Sequence, residues 1–227
     1  MPPSHSASSP AKRNWRRFGS RSKILSKQVS RHGILFVISA PSGAGKTTLV
    51  EALRQTSSLF YSVSCTTRAP RSGEIDGEDY QFLSDKDFRA RVEAGDFLEH
   101  AQVHGDYYGT LRMPVLTNLN SGVDVLIDID TQGATAIRNC DDPFIRKALS
   151  DIFIMPPDLE ELRRRLLQRG TETAQQIELR LATAAREMEL WRGYRYTIIS
   201  GSVEEDLQKF RHIMEAESYL SRRLIQK

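Results

Sequence analysis

An α/β fold, with a parallel central sheet and helices on both faces, is predicted by three features of the sequence. Short apolar runs at 34–39, 123–129, 152–155 and 197–199 lack the polar alternation of a half-exposed strand, so each reads as a strand covered on both sides. Helical patterns lie between them, as parallel pairing requires. The first run, within "ILFVISAPSGAGKTTL" at 34–49, also passes through a small Gly-containing turn into a lysine and two threonines.

Taken in order, helices are expected at 46–56, 111–121, 131–139, 159–168, 174–190 and 203–225. Two carry start signals: Asp158 with Glu161 three residues on, and Ser202 with Glu205. Leu207, Phe210, Ile213, Met214, Leu220 and Leu224 give the last helix an apolar stripe that packs it on the core. Residues 64 to about 110 break the rhythm. Gly73, Gly77, Tyr80, Phe82, Phe97 and the Tyr107–Tyr108–Gly109 cluster suggest a small mixed insertion with one helix near 85–94.

Composition narrows the function. At 227 residues, 39% hydrophobic and 27% charged, the chain falls in the soluble globular range, and no stretch approaches a membrane span of about 18 apolar residues. Eight Lys or Arg and no acid occupy residues 1–33, so the net charge of +3 leaves −5 for the rest. A body-wide basic field for nucleic acid is therefore not expected. Residues 1–32, rich in Ser, Pro and Arg, read as a disordered basic arm; an organelle transit peptide and an electrostatic tether are the other readings. Two cysteines without C-x-x-C spacing fit a reducing, cytoplasmic setting. His100 and His104 are four apart on a strand-like segment without metalloprotease-type carboxylates, so no metal is expected there.

The turn after the first strand has the means to hold a phosphate. Such a cradle needs converging backbone N–H groups, a helix N-terminus behind them and a cation that reaches the outer phosphates. Residues Ala40, Pro41, Ser42, Gly43, Ala44, Gly45, Lys46 and Thr47 supply these, although Ala40 stands where G-x-x-x-x-G-K-[ST] has its first glycine. Lysine at a helix start opposes the macrodipole unless an anion is present. Thr47 offers a hydroxyl to magnesium.

A second anion site is suggested by "SCTTRAPRSGEIDGEDY" at 64–80. Pro70 favours an extended or turn path that can aim Arg68 and Arg71 at one anion, and Tyr80 can add a donor. A nucleotide cradle beside a second phosphate site suggests a second phosphorylated substrate.

From about residue 33 onward the chain resembles guanylate kinase, bacterial type. The resemblance rests on "SAPSGAGK", "SCTTRAPRSGEIDGEDYQF", "FLEHAQVHGDYYGT", "GVDVLIDIDTQGA", "IMPPDLEELRRRL" and "RGTET" in order. It implies a P-loop nucleoside-monophosphate-kinase-like core (33–63, 111–168 and 191–227), a GMP-binding insertion (64–110) and a helical lid (169–190). The implied activity is transfer of the γ-phosphate of ATP, with Mg2+, to GMP and also dGMP, in purine nucleotide metabolism and GMP recycling. The implied partners are small molecules, not nucleic acid or membrane; monomer or homo-oligomer is left undecided.

The resemblance also implies site residues. Arg68, Arg71, Tyr80 and Tyr108 would bind the GMP phosphate, and Ser64, Glu99 and Thr110 the base. Asp128 and Asp130 match the family's paired acids, Asp128 holding magnesium through water and Asp130 on the GMP side. Arg165, Arg169 and Arg180 match the lid arginines and, with Lys46, Arg68 and Asp128, form the expected catalytic set. Chemistry agrees at Glu99: a carboxylate can accept from guanine N1–H and N2–H₂ together, a donor pair adenine lacks. Asp130, two residues beyond Asp128, shares its strand face if the strand continues.

Two departures stand out. Ser200–Gly201 replaces the family's usual Asn–Asp, which bears on the adenine side of ATP, and Thr131 stands where relatives carry tryptophan. Competing readings are a kinase of another phosphorylated substrate and a peptide-binding module without turnover. Glu99 with Ser64 and Thr110 argues against the first, and the Gly45–Lys46–Thr47 element against the second.

Overall fold

The computed structural model describes residues 29–103, 105–170 and 173–226. The chain begins with β1 (Val29–Arg31), then β2 (Leu35–Ser39), α1 (Lys46–Thr56) and β3 (Phe60–Tyr61). The insertion holds β4 (Cys65–Thr66), β5 (Gln81–Phe82), α2 (Asp85–Glu93), β6 (Phe97–Val103) and β7 (Asp106–Leu111). There follow α3 (Arg112–Asn120), β8 (Val125–Asp128), α4 (Thr131–Arg138), α5 (Pro143–Ala148) and β9 (Leu149–Met155). The last part is α6 (Leu159–Arg169), α7 (Ala174–Met188), a 3₁₀ turn (Glu189–Gly193), β10 (Tyr196–Ile199), α8 (Val203–Ser218), a second 3₁₀ turn (Ser221–Arg223) and β11 (Leu224–Gln226).

The central sheet has five strands in the order β10-β9-β2-β8-β3, all parallel. Its unbroken apolar runs follow from burial on both faces. Leu35 and Val37 of β2 join one cluster with Val115, Leu119, Ile127, Ile137 and Phe153. Ile34, Phe36 and Ile38 join the other, with Leu49 and Leu53 of α1 and Phe210 of α8. Each such side chain contributes about 1.5–3 kcal/mol by leaving water. Because β2 lies between β8 and β9 in the middle of the sheet, its C-terminal end opens at the crevice where parallel sheets bind ligands.

The insertion forms a separate sheet, β5-β4-β7-β6, in which β4 and β5 run parallel and the other pairs antiparallel. Phe88, Phe97 and Cys65 give it a core of its own. Helices α6 and α7 pack on each other through Leu162 and Leu166 of α6 and Ile177, Leu181 and Ala184 of α7.

Three expectations need correction. The final helix ends at Ser218, not at residue 225. The fully buried Glu217 carboxylate ion-pairs with Arg223 and Arg195 and accepts from the Tyr196 hydroxyl. Arg223 also donates to the carbonyls of Lys147, Ala148 and Leu149, and a continuing helix would carry it away from them. Leu224 accordingly leaves the apolar stripe and pairs in β11 with β1. For the same reason the arm does not run to residue 32: Val29–Arg31 is a strand, and Arg31 donates to Asp124 at 2.8 Å. The rest of the arm lies outside the described residues. Finally, β8 stops at Asp128, so Asp130 does not share its strand; it is the N-cap of α4, accepting from Gly133 N at 2.8 Å.

Candidate active site

The turn between β2 and α1 has the backbone path of a phosphate cradle. Gly43 and Gly45 adopt φ of 87° and 97°, a left-handed geometry costly for other residues, and Gly45 leads directly into α1. The Ala44 N–H donates to Pro41 O, tightening the turn, while Ala40 and Ala44 are buried against the core. Lys46 reaches across the sheet end, donating to Ile129 O at 3.2 Å and ion-pairing with Asp128. A cation at the start of α1, with no acid in its first turn, is thus held by a carboxylate on the neighbouring strand. Thr47 is exposed at the same helix start.

The second anion socket is formed by Arg68, whose guanidinium lies over the Tyr80 ring at 5.4 Å and the Phe82 ring at 6.0 Å. Tyr80 in turn meets Tyr108 edge-on at 6.0 Å. Arg68 Nη2 donates to both oxygens of Glu74, at 2.8 and 3.0 Å, and Glu74 also accepts from Arg71 N at 2.7 Å. The Arg68 bond, then that from the Arg71 backbone, hold the Glu74 carboxyl below the usual carboxylate range. Glu74 therefore takes the guanidinium of Arg68 but only the backbone N–H of Arg71. Burial and then the nearby Asp128 carboxylate push the Tyr80 phenol up.

A β-bulge aims the candidate base reader. Between Phe97 and Glu99 the β6–β7 register slips by one residue, so Phe97 opposes Leu111 while Glu99 opposes Thr110. Phe97 fills the insertion core, Leu98 reaches the main core, and Glu99 is left 6% exposed facing Thr110, whose hydroxyl donates to Glu99 Oε1 at 2.6 Å. Burial pushes the Glu99 carboxyl up to about 7 against the opposing Thr110 bond, and Asp130 adds to the rise. Ser64 and Thr110 are buried as well, and their chain neighbours Cys65 and Gly109 pair between β4 and β7.

Arg165 and Arg180 both reach the turn between β2 and α1. Arg165 donates to Ala44 O at 3.1 Å and Ser200 Oγ at 3.0 Å, and is held by Glu161. Arg164 and Arg165 together depress the Glu161 carboxyl to about 2. Arg180 donates to Ser42 Oγ at 3.1 Å. Arg169 ends α6, and its side chain lies outside the described residues, as does His104. Among the described residues no cluster of three His, Cys, Asp or Glu could hold a metal ion.

A glycine-shaped strand-to-helix turn with a lysine, an arginine held among aromatic rings and a buried carboxylate are joined by a match to the family described as Guanylate kinase over residues 32–217. The chain belongs to the guanylate kinase family. A "Guanylate kinase" of Ruegeria sp. (strain TM1040) is 43% identical over 190 residues, covering 83% of this chain and 86% of that relative. One of Protochlamydia amoebophila (strain UWE25) is 44% identical over 189 residues, 82% and 92% of the two chains. The crystal structure of guanylate kinase from Anaplasma phagocytophilum superposes with a TM-score of 0.71 at 34% identity, covering 87% of this chain and 92% of that one. Guanylate kinases transfer the γ-phosphate of ATP to GMP, and membership makes this chain an ATP:GMP phosphotransferase.

The structure adds partners that the sequence alone does not reveal. Glu74, which holds Arg68, stands in the motif but signals nothing alone. Ser200, in the departure from Asn–Asp, accepts a bond from Arg165. Tyr61 is mostly buried, with Arg54 over its ring at 4.5 Å, and desolvation and Asp128 push its phenol up.

Proposed function

We propose that the transfer uses the residues above in four roles. The amides of residues 40–47 and Lys46 hold the ATP phosphates. Arg68, Arg71, Tyr80 and Tyr108 hold the GMP phosphate. Glu99, with Ser64, Thr110 and Asp130, reads guanine. Arg165, Arg169 and Arg180 bring positive charge over the transferring group and help exclude water. A GMP phosphate oxygen attacks the γ-phosphorus, the bond to the β,γ-bridging oxygen breaks, and ADP leaves. The protein supplies alignment and charge neutralisation, so no strong base is required.

Mg2+ fits the donors present: one carboxylate, Asp128, and one hydroxyl, Thr47, suit an ion that keeps waters and substrate phosphates as ligands. When bound with ATP it offsets phosphate charge, while Lys46 exchanges its Asp128 partner for phosphate oxygens. The reading extends to dGMP, because the assigned contacts go to base and phosphate and none to the ribose 2′-hydroxyl. A cytoplasmic setting is supported by the free cysteines Cys65 and Cys140. No helix among the described residues is long and apolar enough to cross a membrane.

The observation that carries this reading is Glu99: a buried carboxylate with a hydroxyl on one oxygen and its ionisation held back until a ligand supplies donors. A coupled assay offering GMP, dGMP, AMP, UMP and CMP with ATP tests it. GMP and dGMP are expected to turn over, with AMP slower by about 10⁴-fold; comparable rates with AMP would refute it.

A further inference from the structure

Glu99 has a second wall that the base-reading assignment does not use. Its Oε1 takes the Thr110 hydroxyl, while its Oε2 lies over the first turn of α4, against Gly133. A Cβ at Gly133 would stand 2.7 Å from Glu99 Oε2, 3.3 Å from its carboxyl carbon and 3.2 Å from Ile129 Cδ1. The first distance is closer than a real Cβ tolerates. Gly133 is itself fixed, buried in the helix with its N–H on the Asp130 carboxylate at 2.8 Å.

We propose that Gly133 is a positioning residue for guanine selection: its missing side chain is the notch that seats the Glu99 carboxylate between Thr110 and α4. The inference rests on Glu99 reading the base. Two features make the notch functional rather than a requirement of folding. Gly133 is not at positive φ, so alanine fits its backbone, and alanine favours a helix interior over glycine. The atom in the way is the far end of a flexible side chain, so the fold can yield by moving the carboxylate. That movement draws Oε1 from Thr110 and takes both oxygens off the line of the guanine N1–H and N2–H₂ edge. Alanine at 133 would therefore leave a folded kinase with a misaimed reader.

The test is Gly133→Ala in the full chain, with KM for GMP, KM for ATP, kcat and Tm measured beside Glu99→Gln. KM for GMP is expected to rise about tenfold or more, with little change in KM for ATP and an unchanged or higher Tm. The pH profile of kcat/KM for GMP should lose its inflection near 7, because the displaced carboxylate is better solvated. Glu99→Asp, one methylene shorter, should cost less in the Gly133→Ala background than in the native one. A KM for GMP within about twofold of native, or an equal rise in KM for ATP, would overturn the proposal. If Glu99→Gln raises KM for GMP while Gly133→Ala does not, only this proposal fails. If Glu99→Gln changes nothing, the base-reading role fails as well.

Discussion

The two regions proposed to grip phosphate, the turn after β2 and the insertion, are built from different materials. The cradle is main chain: eight consecutive residues whose turn geometry, set by Gly43 and Gly45, needs only Lys46 to complete it. The insertion is side chain: Arg68 on a loop, Tyr80 before β5, Tyr108 on β7 and Glu99 on a bulged β6, assembled by sheet pairing. A main-chain site should tolerate sequence change wherever the backbone path survives, which is how Ala40 is read. A side-chain site depends on register, on a held rotamer and on the empty space beside it.

The sharpest way to break this comparison is at the one side chain the cradle does need. Lys46→Ala is expected to lower kcat by about 10³-fold or more, with Tm shifted by only a few degrees, as checked by coupled assay and thermal melt. Retained turnover would mean that the amides suffice alone.

The insertion should respond to pH where the cradle does not. Glu99 must be ionised to accept two donors, and its carboxyl sits at about 7 in the free protein. KM for GMP should therefore rise as pH falls below 7, approaching about tenfold per unit, while KM for ATP stays flatter. The same shift acts on folding with the opposite sign. The folded pKa lies above the ordinary 4.5, so the folded state holds the proton more tightly. The contribution of this group to stability is fullest below 4.5 and declines as pH rises from 4.5 to about 7. Glu99→Gln should remove that decline, raising stability at neutral pH on the order of 3 kcal/mol, read from denaturant melts.

How much was legible follows the same division. The cradle, the four main strands and α1 could be read because each is a local pattern: a contiguous turn, an unbroken apolar run, a 3.6-residue stripe. The "DDP" before α5 carried an equally local signal, Asp142 as N-cap with proline at N1, and went unused. The bulge at residue 98, Glu74 on Arg68 and Ser200 on Arg165 were not legible, because each depends on a residue brought near by pairing or packing. The end of α8 failed for a related reason: the apolar stripe continues through Leu220 and Leu224, but buried ion pairs at Glu217 and Arg223 override it.

The smallest expected effect separates arm from body. Removing residues 1–28 should leave kcat and Tm nearly unchanged. Removing residues 1–32 should lower Tm by several degrees, because β1 and the Arg31–Asp124 pair go with them. Equal Tm values for the two truncations would show that β1 contributes nothing.

The most direct test of the central claim, that a buried carboxylate selects the nucleotide while a backbone cradle holds the donor, is the ratio of kcat/KM for GMP to that for AMP in native chain and in Glu99→Gln. The account predicts a native ratio of about 10⁴, falling at least about 100-fold in the variant, with KM for ATP unchanged. A ratio the substitution leaves intact, or a matching loss of ATP affinity, would contradict it.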